Sequence, residues 1–593
     1  MAARYRPVSL GDLTPIVDRR ADGTMIVHAA QPLEPYPSRV TERLLHWAAV
    51  APDRTLLAWR GGSLTYGDAV FATRALGQAL LDRGLSATRP LAILSGNDRE
   101  HFLLTLAALH VGIPCAPISP AYSLLSTDFG TMKHALGRLK PALVYASDAN
   151  AFSRAIAAAV PAGVEVVSRG TAFDALLNTT PTTDVDRAHN AITPDTIAKI
   201  LFTSGSTGLP KGVLNTHRML TSNQQMILQA LPVLAEEPPV LVDWLPWHHT
   251  FGGNHNVGLV LYNGGTLHID DGRPMPGAFD ESVRNLRDIA PTMYLNVPKG
   301  YEELARALRH DVSLATMFFS RLRLLFYAAA SLPQRIADEM QAIAEDTIGE
   351  RIVFVTGFGS TETAPMAICR PWATDAAAVV GLPVPGLTAK LVPSGGRLEV
   401  RVSGPNVMPG YLDEPDITRA AFDDEGFYCL GDAFQMADAD DVNQGFVFDG
   451  RLAEDFKLLS GTWVIVGPLR LKAIAHFAPY VRDVVITGHG RNEVGMLAVP
   501  DVAACRELCP ETAASAPTSD VLNSDAVRER MRALVASFAA GSSGSSTRIT
   551  RAMLLEEPAS MDAGEITDKG SLNQRAILER RAALVEALYD EQT

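Results

Sequence analysis

An apolar, β-prone run stops abruptly at a loop of glycines and hydroxyls that ends in a single lysine. The run is Ile200-Leu-Phe202, and the loop reads Thr203-Ser-Gly-Ser-Thr-Gly-Leu-Pro-Lys211-Gly212. Gly205 and Gly208 let the backbone turn so that N–H groups converge on an anion, and Lys211 adds a positive charge. Further donors are the hydroxyls of Thr203, Ser204, Ser206 and Thr207. The pattern predicts a phosphate-binding loop, although a Gly/Ser surface turn can look similar over a shorter stretch.

The segments around this loop alternate between strand-like and helical patterns. Residues 90–95 and 113–118 are strand-like, and residues 98–111, between them, have helical periodicity. This alternation predicts an α/β fold with a parallel, doubly wound sheet, in which ligands bind where the strands end. After Gly381 the pattern changes to short alternating strands, which predict a small β-rich lobe.

Domain boundaries follow from the same reading. The chain has 593 residues, too many for one core. We expect an N-terminal domain over residues 1–450 and an α+β C-terminal domain over residues 451–593. Residues 1–40 are polar and contain several prolines, which predicts an extended arm lying on the body.

Composition indicates an ordinary soluble protein, with 47% hydrophobic and 20% charged residues. A net charge of −14 argues against a nucleic-acid-binding surface. The five cysteines contain no CxxC pair, so they indicate neither a disulfide framework nor a zinc site. No apolar run is long enough to span a bilayer, and the N-terminus lacks the apolar core of a signal peptide. We therefore expect a cytoplasmic protein.

Four further motifs follow the loop. They are Pro246-Trp-His-His249, Gly357-Phe-Gly-Ser-Thr-Glu362, Tyr428-Cys-Leu-Gly-Asp432 and Gly450-Arg451. Together with the phosphate loop, and in this order, they resemble the adenylate-forming acyl-CoA synthetase superfamily from about residue 40 onwards. That resemblance implies two doubly wound sheets plus a small β-barrel lobe in the N-terminal domain, and a smaller, mobile C-terminal domain. It also implies the reaction: a carboxylate and ATP give acyl-AMP and pyrophosphate, and the acyl group then passes to the thiol of CoA.

The resemblance also implies residue roles. The loop with Lys211 would stabilise the pyrophosphate that leaves. Adenine would lie against Phe358, Gly357 and Ala329, and the ribose would bind Asp432 and Arg451. Thr361 would hold the α-phosphate, Glu362 and Thr203 would hold Mg²⁺, and His249 would lie near the acyl pocket. Taken alone, Glu362 equally fits a carboxylate at the start of a helix, and Trp247 fits a core residue as well as a pocket wall.

Histidines 248, 249 and 255 could suggest a metal site. Adjacent ligands at 248 and 249 cannot share one helical face, so we favour no metal there.

The chain also departs from the family pattern. Leu430 replaces a threonine, and Ala453 stands where relatives carry a Lys or Asp hinge. The usual C-terminal lysine motif reads Asp562-Ala-Gly-Glu-Ile-Thr-Asp-Lys569-Gly, and alignment on its glycine puts Glu565 at the lysine position. A carboxylate cannot supply positive charge, so we predict Lys569 as the adenylation lysine, although an exposed surface lysine fits the same pattern.

The sequences of residues 454–464 and 563–570 resemble those of feruloyl-CoA synthetases. The acid would then be a hydroxycinnamic acid such as ferulic, p-coumaric or caffeic acid. Another aromatic acid, a fatty acid, or a non-catalytic acyl-adenylate-binding protein are the alternatives. The expected partners are an aromatic carboxylic acid, ATP with Mg²⁺, and CoA, with no nucleic acid and no membrane span; the oligomeric state, including a homodimer, stays open.

Overall fold

A computed structural model describes residues 4–203, 209–275, 277–511, 515–567 and 570–590. In these ranges the strands form sheets of eleven, six and four strands within the first 451 residues and two small sheets in the C-terminal region. Ser204, Gly205, Ser206, Thr207, Gly208 and Lys569 lie outside the described residues.

A six-stranded sheet carries the strand that leads into the phosphate loop. In spatial order its strands are Lys211–Thr216, Ile197–Thr203, Cys115–Ile118, Leu91–Leu94, Leu143–Ala146 and Glu165–Ser168. All neighbours are parallel except the first pair. Its strands are apolar and largely buried, as expected for a parallel sheet covered by helices on both faces.

A second, four-stranded sheet consists of Val240–Asp243, Thr266–Ile269, Thr55–Trp59 and Gly62–Thr65. The helices around the two sheets are Thr41–Val50, Tyr66–Asp82, Arg99–His110, Gly130–Leu139, Ser153–Ala159, Thr171–Leu177, Thr183–Ala191, His217–Ala230 and Val257–Asn263. The helix Val257–Asn263 continues directly from a π-helical turn, Phe251–Asn256.

The largest sheet has eleven strands and joins a parallel part to an antiparallel lobe. Its order is Pro15–Arg19, Met25–Ala29, Thr388–Ser394, Arg397–Ser403, Tyr428–Met436, Phe446–Arg451, Val379–Pro383, Met366–Arg370, Val353–Gly359, Leu324–Tyr327 and Met293–Asn296. The last three strands are parallel, and the helices Asp280–Asp288, Pro298–His310, Val312–Ser320 and Gln334–Ile348 accompany them. The predicted α/β fold with two doubly wound sheets, a β lobe and a smaller C-terminal domain is confirmed.

The expected extended arm over residues 1–40 is wrong in part. Two strands, Pro15–Arg19 and Met25–Ala29, form a hairpin there, and the second pairs with Thr388–Ser394 at the edge of the largest sheet. The physical reason is the alternation in Met25-Ile-Val-His-Ala29, whose first, third and fifth side chains are buried.

The C-terminal region has its own apolar cluster, which begins at Phe456. Its sheet comprises Val481–Thr487, Val494–Pro500 and Ile549–Leu554, and a short pair joins Phe456–Lys457 to Trp463–Val464. The helices are Val466–Phe477, Val502–Glu507, Thr518–Leu522, Asp525–Ala540, Gln574–Arg580 and Ala582–Tyr589. In the described ranges, none of the helices has the length and apolar character needed to cross a bilayer.

Candidate active site

The phosphate loop connects two paired strands. Strands Ile197–Thr203 and Lys211–Thr216 are antiparallel, and Thr203 lies opposite Lys211. The five loop residues from Ser204 to Gly208 lie outside the described residues, so their predicted role stays a prediction. The flanking pair nevertheless fixes where the loop begins and ends.

Lys211 and Glu362 meet through a tyrosine that the motifs did not single out. The Lys211 ammonium lies 5.1 Å from the centre of the Tyr411 ring, a cation–π contact. The Tyr411 hydroxyl donates to Glu362 Oε1 at 3.0 Å and lies 3.4 Å from the Tyr428 hydroxyl. Burial and the Glu362 carboxylate raise the pKa of Tyr411, which keeps this hydroxyl a donor. Tyr411 therefore contacts the Lys211 ammonium with the face of its ring and the Glu362 carboxylate with its hydroxyl.

Thr361 lies in a short 3₁₀ turn, Thr361–Thr363, whose carbonyls accept hydrogen bonds from buried amide side chains. Asn215 Nδ2 donates to the Thr361 carbonyl at 3.3 Å, and Asn406 Nδ2 donates to the Thr363 carbonyl at 2.8 Å. The Glu362 carbonyl accepts from Met408 N at 2.8 Å. The turn is therefore fixed by protein groups before any ligand binds.

Asp432 is buried without a matching donor. It lies opposite Arg451 in adjacent strands, but Arg451 Nε is 3.6 Å from Asp432 Oδ1, too far for a good hydrogen bond. That oxygen has no hydrogen-bond partner among the described residues. Burial raises the pKa of Asp432 to about 6, against the lowering effect of Arg451. An orphaned buried acceptor fits a ligand that brings hydroxyl donors, such as a ribose.

The predicted adenine residues lie at the ends of adjacent strands. Phe358 is half-buried, with its ring 4.9 Å from that of Phe434 and 5.9 Å from that of Phe448. Ala329 follows the strand Leu324–Tyr327 with φ of +72°, a conformation that usually belongs to glycine. Its side chain is exposed, so a ligand can approach the backbone there.

His249 precedes the π-helical turn, and its carbonyl accepts from Gly253 N at 2.7 Å. Beyond it, Phe251, His255 and Phe326 form an aromatic wall, with the His255 and Phe326 rings 4.9 Å apart. Gly357 lies against this wall, since a Cβ there would be 3.0 Å from Phe326 Cζ.

Trp247 is a core residue. It is buried, and its ring packs on those of His101 and Phe102. This resolves the two readings of Trp247 in favour of the core.

The C-terminal motif shows why Glu565 cannot stand in for a lysine. Its side chain is fully buried and accepts from Arg581 at 2.7 Å and 2.8 Å and from Arg580 at 3.0 Å. These arginines hold the pKa of Glu565 below its usual range. Glu565 is thus a structural anchor, and the role of Lys569, which lies outside the described residues, stays a prediction.

The segment just before Glu565 contacts the N-terminal domain. Asp562 Oδ2 accepts from Thr127 N at 2.9 Å and from Thr127 Oγ1 at 2.7 Å. Met561 packs against the apolar cluster that contains Ile200 and Phe202. Met561 and Asp562, where the C-terminal motif begins, are therefore docked beside the strand that leads into the phosphate loop.

The donor set fits a nucleotide with Mg²⁺. Glu362 offers a hard carboxylate oxygen and shares the contact with Tyr411 that Lys211 makes, and Mg²⁺ usually binds one or two carboxylates plus phosphate oxygens. Within the described ranges there is no group of three His, Cys, Asp or Glu that could hold a metal by itself. Any Mg²⁺ at Glu362 would therefore take most of its ligands from ATP and water.

Two site residues escaped the motif analysis. Tyr411 follows Pro409-Gly410, which signals only a turn. Asn215 is a polar residue at a buried position of a strand. A polar residue in such a strand could have identified it as a site residue, because a buried amide needs hydrogen-bond partners.

Comparison with known proteins gives a family match over most of the chain. The model described as "AMP-binding enzyme" matches residues 44–412, and "AMP-binding enzyme C-terminal domain" matches residues 464–593.

Individual relatives are distant. A (methyl-dioxo-octahydroindenyl)propanoyl:CoA ligase from Rhodococcus jostii is 29% identical over 276 residues, 45% of this chain and 48% of that protein. The chain thus spans about half the length of several curated relatives that it matches. A 4-coumarate–CoA ligase from Oryza sativa is 26% identical and covers 72% of this chain and 75% of its own length.

Among solved structures, the anthranilate CoA ligase AuaEII in complex with anthranoyl-AMP has a TM-score of 0.70. It is 19% identical, and the match covers 94% of this chain and 99% of that one. At this identity the likeness concerns the fold.

Proposed function

The chain belongs to the AMP-binding enzyme family, and from that premise we propose that it is an ATP-dependent acid–CoA ligase that works through an acyl-AMP intermediate. The observation that carries the proposal is the arrangement of Lys211, Tyr411 and Glu362 together with Asp432, whose buried Oδ1 has no hydrogen-bond donor among the described residues. Together these residues supply a cation that can bind phosphate, a carboxylate that can bind a metal, and an acceptor for the ribose hydroxyls.

In this mechanism the chain's residues mainly position charge. Asp432 accepts the ribose hydroxyls, and Phe358 and the backbone at Ala329 flank adenine. Thr361 donates to the α-phosphate while a carboxylate oxygen of the acid attacks the α-phosphorus. The bond to pyrophosphate breaks, and Lys211 with the loop stabilises the charge that accumulates on the leaving group. Mg²⁺, held by Glu362 with Thr203 nearby, would neutralise phosphate charge when it is bound.

In the second half-reaction the CoA thiol loses its proton and attacks the acyl carbonyl, and AMP leaves. The resemblance assigns this step to a rotated C-terminal domain. We place the pivot in the short 3₁₀ turn Leu452–Glu454, where Ala453 is exposed. The domain boundary near residue 450 and the role of Lys569 belong to the same proposal.

For the acid we propose a hydroxycinnamic acid, with feruloyl-CoA-type thioesters as products. The aromatic wall of Phe251, His255 and Phe326 beside Gly357 supports a planar aromatic substrate. In addition, His255 Nε2 is buried without a partner in the described part of the chain, and a phenolic hydroxyl would supply the missing donor. Burial lowers the pKa of His255 to about 4, so the ring is neutral at neutral pH. Its Nδ1 donates to Asn256 Oδ1 at 2.9 Å, which leaves Nε2 as the acceptor. The cytoplasmic location and a homodimeric state stay predictions from sequence.

The test is a panel of acids incubated with ATP, Mg²⁺ and CoA, with the thioester identified by mass. The panel comprises ferulic, p-coumaric, caffeic, cinnamic, benzoic, malonic and octanoic acids, and Asp432→Ala is the control variant. We expect hydroxycinnamoyl thioesters at the highest rate. A dominant malonyl or octanoyl thioester would overturn the proposed acid alone. No pyrophosphate release with any acid would overturn the ligase and favour the non-catalytic binder.

A further inference from the structure

Lys199 is a buried lysine on the strand that ends at the phosphate loop. It is 5% exposed, and burial lowers its pKa. Its ammonium donates to the Gly253 carbonyl at 2.7 Å and to Asn254 Oδ1 at 3.2 Å. Across the described ranges no carboxylate forms an ion pair with it. A buried cation held only by neutral acceptors is costly, and an apolar side chain would pack there at lower cost.

The acceptors of Lys199 belong to the π-helical turn Phe251–Asn256, which carries two of the three rings of the aromatic wall. This turn is tightly built, because a Cβ at Gly253 would lie 2.1 Å from the Trp247 carbonyl oxygen. The Gly253 amide is already used by the His249 carbonyl. Lys199 therefore holds the turn from the side of the six-stranded sheet, through the Gly253 carbonyl and the Asn254 side chain.

From the same turn, hydrogen bonds continue to the proposed α-phosphate site. Asn254 Nδ2 donates to Asn215 Oδ1 at 2.7 Å, and Asn215 Nδ2 donates to the Thr361 carbonyl at 3.3 Å. Lys199, Asn254 and Asn215 are each at most 5% exposed. The chain of bonds links three elements: the paired strands at the phosphate loop, the π-helical turn and the turn at Thr361.

We propose that Lys199 is a positioning residue for acyl-AMP formation. Through Asn254 and Asn215 it fixes the turn at Thr361 relative to the phosphate loop and the aromatic wall. The inference rests on the α-phosphate role proposed for Thr361. The three hydrogen bonds run in one direction from Lys199 Nζ to the Thr361 carbonyl, so each polarises the next, and the Thr361 turn is held where a small displacement would misplace the reacting phosphorus.

A cavity beside Lys199 makes the substitution test feasible. It has a volume of about 40 Å³, and Lys199, Thr105 and Gln224 are among the residues that line it. Thr105 Oγ1 is buried and has no hydrogen-bond partner within the part of the chain that the structure covers. Thr105→Val therefore changes the same cavity wall and leaves the bond chain intact. It is the matched control.

The first experiment compares Lys199→Met, Lys199→Gln and Thr105→Val in ATP–pyrophosphate exchange with the preferred acid. We expect Lys199→Met to lower kcat by about 10- to 100-fold with little change in the KM for ATP. Lys199→Gln keeps one donor and should recover part of the loss, while Thr105→Val should behave as wild type. Circular dichroism and melting temperature are measured for each variant. If Lys199→Met does not fold, Lys199→Gln against Thr105→Val carries the same comparison.

A double-mutant cycle separates positioning from packing. Lys199→Met and Asn215→Leu should be strongly non-additive in kcat, because either change interrupts the same chain of bonds. Additive effects, or a folded Lys199→Met enzyme with normal kcat, would overturn the inference. Thr361→Ala is run alongside. If Thr361→Ala is fully active, the proposed site fails; if it is impaired and Lys199→Met is not, the proposed site stands and the inference about Lys199 fails.

Discussion

Asp432 illustrates how one residue in this site is prepared for its ligand. Its carboxylate is buried in the strand Tyr428–Met436, and its Oδ1 atom has no hydrogen-bond partner among the described residues. Burial raises its pKa to about 6, and the nearby carboxylates of Glu454 and Glu362 act in the same direction. Donor hydroxyls stabilise the ionised form, so a bound ribose should lower this pKa. Nucleotide binding is then coupled to release of a proton.

The coupling has a definite sign. Below about pH 6 the free enzyme holds Asp432 protonated, and binding must first remove that proton, so ATP affinity falls as the pH is lowered. Above about pH 7 the carboxylate is already ionised and the affinity should level off. We expect the KM for ATP to rise by about 10-fold per pH unit well below the pKa.

The measurement is the KM for ATP between pH 5 and 8 in wild type and Asp432→Asn. The asparagine side chain does not ionise in this range, whereas the ATP phosphates titrate as before. The difference between the two pH profiles therefore isolates the contribution of Asp432. Parallel pH profiles for the two proteins would contradict the assignment.

At the scale of the element, Gly357 places a strand edge against the aromatic wall. It lies opposite Cys369 in adjacent strands, and a Cβ there would be 3.0 Å from Phe326 Cζ and 3.2 Å from Met366 Sδ. Both distances are tighter than normal contacts, so the neighbours must shift toward the space proposed for the acid.

We therefore expect Gly357→Ala to lower kcat/KM for ferulic acid by about 10-fold and for the slimmer cinnamic acid by less. Gly357 is also one of the residues expected to flank adenine, so the KM for ATP is measured as well, and a rise in it with equal losses for the two acids would assign the effect to the nucleotide. Steady-state kinetics with the two acids measure the difference. An equal loss for both acids would place Gly357 outside the acid pocket.

Elements that depend on local pattern were predictable from the sequence. The strand-like run before the loop extends over Ile197–Thr203, and the predicted helix over residues 98–111 is the helix Arg99–His110. Its start is set by Asp98, whose side chain accepts from His101 N. Such signals involve residues that are close together in the sequence, so they can be recognised without the structure.

Contacts between distant parts of the chain were not predictable. Tyr411 joins Lys211 to Glu362 across intervals of 200 and 49 residues, and no local pattern announces it. Likewise, the helices Gln574–Arg580 and Ala582–Tyr589 are divided at Arg581, whose guanidinium donates to Glu565 and to the carbonyls of Glu557 and Pro558. That division depends on a partner sixteen residues away, which sets the position of the arginine through tertiary structure.

For the whole molecule, the two half-reactions proposed for this chain require different placements of the C-terminal domain. Lys569 serves the first half-reaction in this scheme. On its two sides, Gly570 N donates to the Thr567 carbonyl, and Ile566 pairs with Leu572. We expect Lys569→Ala to lower acyl-AMP formation by at least about 100-fold, the scale for losing one preorganised charge.

Thioester formation from added acyl-AMP should survive in Lys569→Ala. The control is Lys472→Ala, which removes an exposed lysine from the helix Val466–Phe477 of the same domain. ATP–pyrophosphate exchange and single-turnover thioester formation are the two measurements. Normal exchange in Lys569→Ala would exclude this lysine from adenylation.

Asp562 tests whether the docked arrangement belongs to that first half-reaction. Its Oδ2 atom accepts both the backbone N–H and the hydroxyl of Thr127, which joins the two domains. Burial alone would raise the pKa of Asp562, but hydrogen bonds from Ser126 and Thr127 outweigh it and keep the pKa below its usual range. The carboxylate is thus ionised at neutral pH, and its loss removes two charge-assisted bonds.

Asp562→Ala should therefore favour other placements of the C-terminal domain and slow acyl-AMP formation by about 10-fold, the factor for about 1.4 kcal/mol of docking free energy. Thr127→Val keeps the backbone donor and should slow it less. Neither variant should slow thioester formation from added acyl-AMP, since that step uses the rotated domain. Equal losses in both half-reactions would mean that Asp562 stabilises the fold at large, because a contact specific to one placement can affect only the half-reaction which uses it.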